Sequence, residues 1–103
     1  MNKQNRDKYI KLMVLKSNAI TEEQKSIVAN FVAFQIKNEQ IKEHDINRVL
    51  VCELYPIYYQ KYRGKTVSWN ATADALDLGY NTVVNIYKKY HYLMNFNLSN
   101  LPN

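Results

Sequence analysis

Four residues in this chain of 103 are glycine or proline: Gly64, Gly79, Pro56 and Pro102. Most of the chain therefore lacks the residue that frees the backbone and the one that removes an amide donor, a composition that suits helices better than a many-stranded sheet. The expected fold is all-α, a compact bundle of about five helices joined by short loops, with a helix-turn-helix at its carboxy-terminal end. At 12.2 kDa the chain has room for one core, so residues 1–103 are read as a single helical domain. An apolar fraction of 47% argues for a folded globule, although nine tyrosines make that surface more polar than leucines would.

Ile10, Leu12, Met13 and Leu15 give an imperfect apolar side to a short helix over about residues 7–15, with residues 1–5 and 99–103 expected to fray. Thr21, Glu22, Glu23 and Gln24 match a capping box with two acids in the first turn, so a helix should start there. Ile27, Val28, Phe31, Val32, Phe34 and Ile36 predict one wide buried face running to about Lys37. Asp45 is expected to cap the next helix, in which Ile46, Val49, Leu50 and Leu54 share a side. Pro56 should end or kink that helix or open the next one, and Gly64 can terminate the aromatic segment 57–63. Residues 66–69 lead into another helical stretch over 71–78, with Gly79 close behind it.

The strongest pattern lies between Trp69 and Ile86. Ala73 is small enough to let two crossing helices approach, and Leu76, Leu78, Val83 and Ile86 stand where apolar contacts can seal the angle between them. This segment resembles helix-turn-helix transcription regulators, broadly sigma-factor region 4 and the small phage late-gene regulators. The resemblance covers approximately residues 69–90. It implies a support helix near 69–76, a turn around 77–80 and a recognition helix starting near Asn81. The small turn residue of the pattern falls at Asp77, whereas the glycine stands at Gly79. The function so implied is sequence-specific binding of double-stranded DNA by a small transcriptional regulator, with the helix from Asn81 reading the major groove.

For that helix, Asn81, Thr82, Asn85 and Lys89 are assigned to base edges. Asparagine pairs a donor and an acceptor with adenine, threonine offers a hydroxyl or a methyl, and lysine donates to guanine or phosphate. Lys88 and His91 are assigned to phosphate and Tyr80 to the DNA backbone, while Lys61, Arg63 and Lys65 would place charge beside the strand crossed by the preceding helix. Trp69 is read as an anchor of the helical pair, and Tyr55, Tyr58, Tyr59 and Tyr62 as core or rim. Val83, Ile86, Tyr87, Tyr90, Leu93 and Met94 extend the apolar spacing past a short recognition helix, which calls for a covering surface. The amino-terminal helices of the same chain can supply it. A homodimer through Tyr87, Tyr90, Leu93 and Met94 is the alternative, and would suit half-sites about 34 Å apart.

A formal charge of +5 favours acidic partners without naming one. It is uneven, about +4 over residues 1–16, about −2 over 17–53 and about +3 over 54–103, so the middle looks like scaffold. No apolar run can span a bilayer and the polar start over 1–7 lacks a secretory leader, so no membrane association and a cytoplasmic location are expected. Cys52 alone cannot form an internal disulfide or a structural zinc site, and its apolar neighbours suggest an inert thiol. His44, Asp45 and His91 lack metal-ligand spacing, two isolated glycines make no phosphate loop, and Glu39, Glu43 and Glu53 form no acid–base pair. The chain is therefore read as a non-enzyme with no catalytic residue, cofactor or metal. A second class is a phage or plasmid adaptor that binds RNA polymerase or a host regulatory protein through its tyrosine-rich and carboxy-terminal helices, without direct DNA readout.

Overall fold

The computed structural model describes residues 2–99, with side chains described for residues 2–93. Among them are five α-helices and no strand: α1 (Lys3–Lys16), α2 (Glu22–Lys37), α3 (Glu43–Tyr62), α4 (Lys65–Leu76) and α5 (Tyr80–Ser99). The all-α expectation holds at this level. The chain gathers into two compact units, Met1–Asn47 and Arg48–Asn103, and the boundary between them falls inside α3.

In the first unit α1 packs on α2. α1 begins at Lys3 because the extended Asn2 caps it, its side chain accepting from the Gln4 N–H at 2.9 Å and the Asn5 N–H at 3.3 Å. Two amide donors that a helix start leaves orphaned are thereby satisfied. The expected fraying of residues 1–5 is corrected for residues 2–5, and Asn5 is only 3% exposed. Residues 100–103, also expected to fray, lie outside the described residues.

α2 opens on the expected capping box. The Gln24 N–H donates to Thr21 Oγ1 at 3.1 Å, and the Thr21 N–H donates to Gln24 Oε1 at 3.2 Å. Its single wide buried face is corrected to two apolar stripes, only one of them covered. Val32 and Ile36 are buried, whereas Ile27, Phe31 and Phe34 are exposed. At about 100° per residue the two stripes stand roughly two fifths of a turn apart, more than one neighbouring helix covers. Asp45 is not the N-cap of α3. It lies in the first turn and reaches back, its carboxylate accepting from the Lys42 N–H at 3.2 Å. Tyr9, Val32, Ile36 and Ile46 are the buried apolar residues of this unit. Burial, and after it the Asp45 carboxylate, raises the Tyr9 hydroxyl above the ordinary phenol range.

The expected end of the helix at Pro56 is also corrected, since α3 runs through it as one element of 20 residues. Proline removes one ladder bond and crowds the carbonyl four residues back. Buried Leu50, Val51 and Tyr55 precede it, and ring contacts Tyr55–Tyr59 and Tyr58–Tyr62 continue past it, so packing outweighs the local penalty. The helix closes at Arg63, which is left-handed at φ 59° and donates its N–H to the Tyr59 carbonyl at 2.7 Å. Gly64, expected to be the terminator, is extended instead and forms the N-cap of α4. Within α4 the Ser68 and Thr72 hydroxyls donate to the carbonyls four residues earlier, which lets both side chains be completely buried. α4 takes in residues 65–70 and stops at Leu76, two residues short of the expected end, and it packs on α5.

Candidate functional site

Three residues, Asp77, Leu78 and Gly79, join α4 to α5. Asp77 is left-handed at φ 53° and ψ 48°. Its N–H donates to the Asp74 carbonyl at 3.4 Å, and the Leu78 N–H donates to the Ala73 carbonyl at 3.0 Å. Paired bonds of this kind form a Schellman stop, which satisfies the last carbonyls of a helix and redirects the chain sharply. Of the five residues expected to seal the pair, Ala73, Leu76 and Val83 are buried, Leu76 and Val83 completely, and Leu78 and Ile86 are half-buried.

The left-handed position of this turn is held by Asp77, while Gly79 has no positive φ. A Cβ placed on Gly79 would meet Thr82 Oγ1 at 3.5 Å, an ordinary contact. Aspartate adopts the left-handed region more readily than most residues, but still carries a Cβ that glycine lacks. Asp77→Gly should therefore raise the unfolding free energy by about 0.5–1 kcal/mol, read from urea denaturation. A loss of stability would show that the Asp77 side chain holds the turn by contacts of its own.

Spaced at about 100° per residue, Asn81, Asn85, Lys88, Lys89 and Tyr92 fall on one side of α5, and Val83, Ile86, Tyr87 and Tyr90 on another. Every residue of the first set is exposed, as is Thr82 at its margin. The four candidate base readers, Asn81, Thr82, Asn85 and Lys89, thus share an open surface with Lys88. Tyr92, 59% exposed, lengthens the row by a turn. It escapes a reading based on charge and amide groups, although its spacing of four from Lys88 and seven from Asn85 was a usable signal. Tyr80, the first residue of α5, is 37% exposed. Lys61, Arg63 and Lys65 are exposed around the two-residue joint between α3 and α4, and Lys61 Nζ lies 5.2 Å from the Tyr62 ring centroid.

Behind this surface lies a cluster of rings. Tyr55 and Trp69 stack with centroids 3.6 Å apart, and Tyr87 meets Tyr55 at 4.6 Å and Trp69 edge-on at 5.4 Å. Burial is the main cause that raises the Tyr55 and Tyr87 hydroxyls, with neighbouring tyrosines adding to the first and Cys52 to the second. His91 stacks on Tyr87 at 4.5 Å, and its Nδ1 lies 2.6 Å from the Tyr87 carbonyl. A carbonyl accepts only, so Nδ1 carries the proton in this bond. This bond and the stack hold the His91 ring against Tyr87, one turn earlier on α5. An open cavity of about 410 Å³ borders the cluster, with Lys65 and Lys88 at its edge.

Of the residues assigned to a dimer interface, Tyr87 is engaged by these rings, and Tyr90 lies under the Arg48 guanidinium at 4.3 Å. Leu93 is exposed, and the side chain of Met94 lies outside the described residues. Cys52 is half-buried, and desolvation, followed by Glu53, pushes its thiol up to about 11, so it is protonated at neutral pH. Among the described residues no group of three or more His, Cys, Asp or Glu could hold a metal ion, and no helix is long and apolar enough to cross a membrane. Compared with protein-family models, curated proteins and solved structures, the chain has no significant match in any of the three.

Proposed function

We propose that the chain is a small transcriptional regulator that binds double-stranded DNA sequence-specifically, with α4 and α5 acting as a helix-turn-helix and the first half of α5 in the major groove. One observation carries this reading: the exposed row of Asn81, Asn85, Lys88 and Lys89 follows directly on a three-residue turn whose flanking helices bury Ala73, Leu76 and Val83. A helix about 10–12 Å across fits a groove about 12 Å wide, provided that its other side is held rigidly. Asn81 and Asn85 supply paired donor–acceptor contacts to adenine, and Thr82 and Lys89 add contacts beside them. Lys88, Tyr80 and the Lys61, Arg63 and Lys65 group reach phosphates, which fix register without carrying sequence information.

The test is a salt series on mixed duplexes with the natural chain, an Asn81→Ala, Asn85→Ala double variant and Lys88→Ala. Binding should weaken steeply with salt. The double variant should lose about 1–3 kcal/mol per asparagine on the preferred duplex and little on the others, whereas Lys88→Ala should weaken every duplex and lower the salt slope by about 1. Equal losses on all duplexes would keep DNA association and remove the base-reading roles. A second reading, an adaptor for RNA polymerase or a host regulatory protein, draws on exposed Tyr59, Tyr62, Tyr92 and Leu93. The absence of duplex binding at low salt would favour it.

A further inference from the structure

Large apolar side chains left in water are the feature of the first unit that its fold does not use. Ile20, Ile27, Phe31 and Phe34 are 82%, 62%, 61% and 57% exposed. Ile27, Phe31 and Phe34 stand four and three residues apart on one side of α2 and form one continuous stripe, with Ile20 just ahead of the helix. Scattered exposed leucines are ordinary on a protein surface, but a stripe with two phenylalanines marks an interaction face.

The ends of the stripe identify the partner. Glu22 and Glu23 occupy the first turn of α2, and Lys37 occupies its last. Glu23 and Lys37 are each seven residues from Asn30 and fall on the same flank of the stripe. We propose that α2 docks on α2 of a second copy of this chain, antiparallel, about a two-fold axis passing near Asn30 and Phe31. That arrangement sets Phe31 against Phe31 of the second copy and Ile27 against its Phe34. It also brings Glu23 beside Lys37 of the second copy, twice over, as a two-fold interface requires. A parallel pairing would instead turn this flank toward the opposite one, where Gln24, Val28 and Gln35 stand, and would form neither ion pair, so the charges favour the antiparallel one. The face supplies its own complement, apolar at the centre and opposite in sign at its two ends. Nothing in this pairing depends on DNA binding.

Sedimentation equilibrium of the full chain, without DNA, from about 1 µM to about 500 µM tests it. A monomer–dimer equilibrium is expected. Phe31→Asp, at an exposed position, should keep the helical circular dichroism and raise the dimer Kd by about 30-fold or more. Glu23→Lys and Lys37→Glu should each weaken the dimer about three- to tenfold, by placing like charges together at both ends. The double exchange should return the Kd to within about threefold of the natural chain, because the pairs reform with their signs reversed. A chain that stays monomeric throughout, or a double exchange no better than the single ones, overturns the proposal. So does a dimer that survives Phe31→Asp and is lost with Leu93→Asp, which would move the interface to α5.

Discussion

Leu76→Ala is expected to cost about 3 kcal/mol of folding free energy and to lower the thermal midpoint by on the order of 15 °C. Leu76 is the last residue of α4 and is completely buried. Removing its side chain loses the transfer free energy of three carbons and leaves a cavity that the surroundings can close only by moving. The Schellman bonds at Asp77 and Leu78 restrict that movement, because the chain turns immediately after the site. Urea denaturation followed by helical circular dichroism gives the number. On the DNA-binding role proposed above, the same variant should also bind a duplex less tightly even where it is fully folded, because Leu76 is buried at the joint that sets the direction of α5. A cost below about 1 kcal/mol would show that the site collapses freely and that the two helices are not locked.

Trp69→Ala should be at least as damaging, about 3–5 kcal/mol, and Trp69→Phe about 1 kcal/mol. Trp69 is buried, stacked on Tyr55 and met edge-on by Tyr87. Alanine removes the ring that both tyrosines pack against, whereas phenylalanine keeps most of the apolar area and loses only the outer part of the indole. The gap between the two variants separates anchoring from a specific role of the indole. Should both variants unfold alike, the stacking geometry itself would be the stabilising element. In the natural chain this single tryptophan also gives a fluorescence signal local to the ring cluster.

What could be read in advance was whatever local spacing decides. The Thr21–Gln24 capping box is a four-residue rule, and its two hydrogen bonds form as that rule requires. The inward set Ala73, Leu76 and Val83 and the outward set Asn81, Thr82 and Asn85 follow from helical periodicity alone. Where a distant surface decides, spacing fails. α2 has two apolar stripes, and nothing in its own sequence states that α1 leaves Ile27, Phe31 and Phe34 uncovered. Pro56 obeys its local penalty, yet the buried residues before it and the ring contacts across it keep α3 whole. The stack of His91 on Tyr87 and its bond to the Tyr87 carbonyl join it to a ring cluster that α3 and α4 complete, which the spacing along α5 does not state. Asn2 looks like coil by composition, but caps α1 because a helix start needs an acceptor there.

α1, α2, α3 and α4 are each followed closely by a residue other than glycine with positive φ: Asn18, Glu39, Arg63 and Asp77. The two glycines of the chain both lie elsewhere in the backbone map. Natural sequences seldom sit at their stability optimum, and here the shortfall is concentrated at four joints, each one substitution from relief. Because these joints are far apart in sequence and separately capped, gains there should combine nearly independently. The chain thus has accessible routes to tolerating costly changes elsewhere, including on the open side of α5.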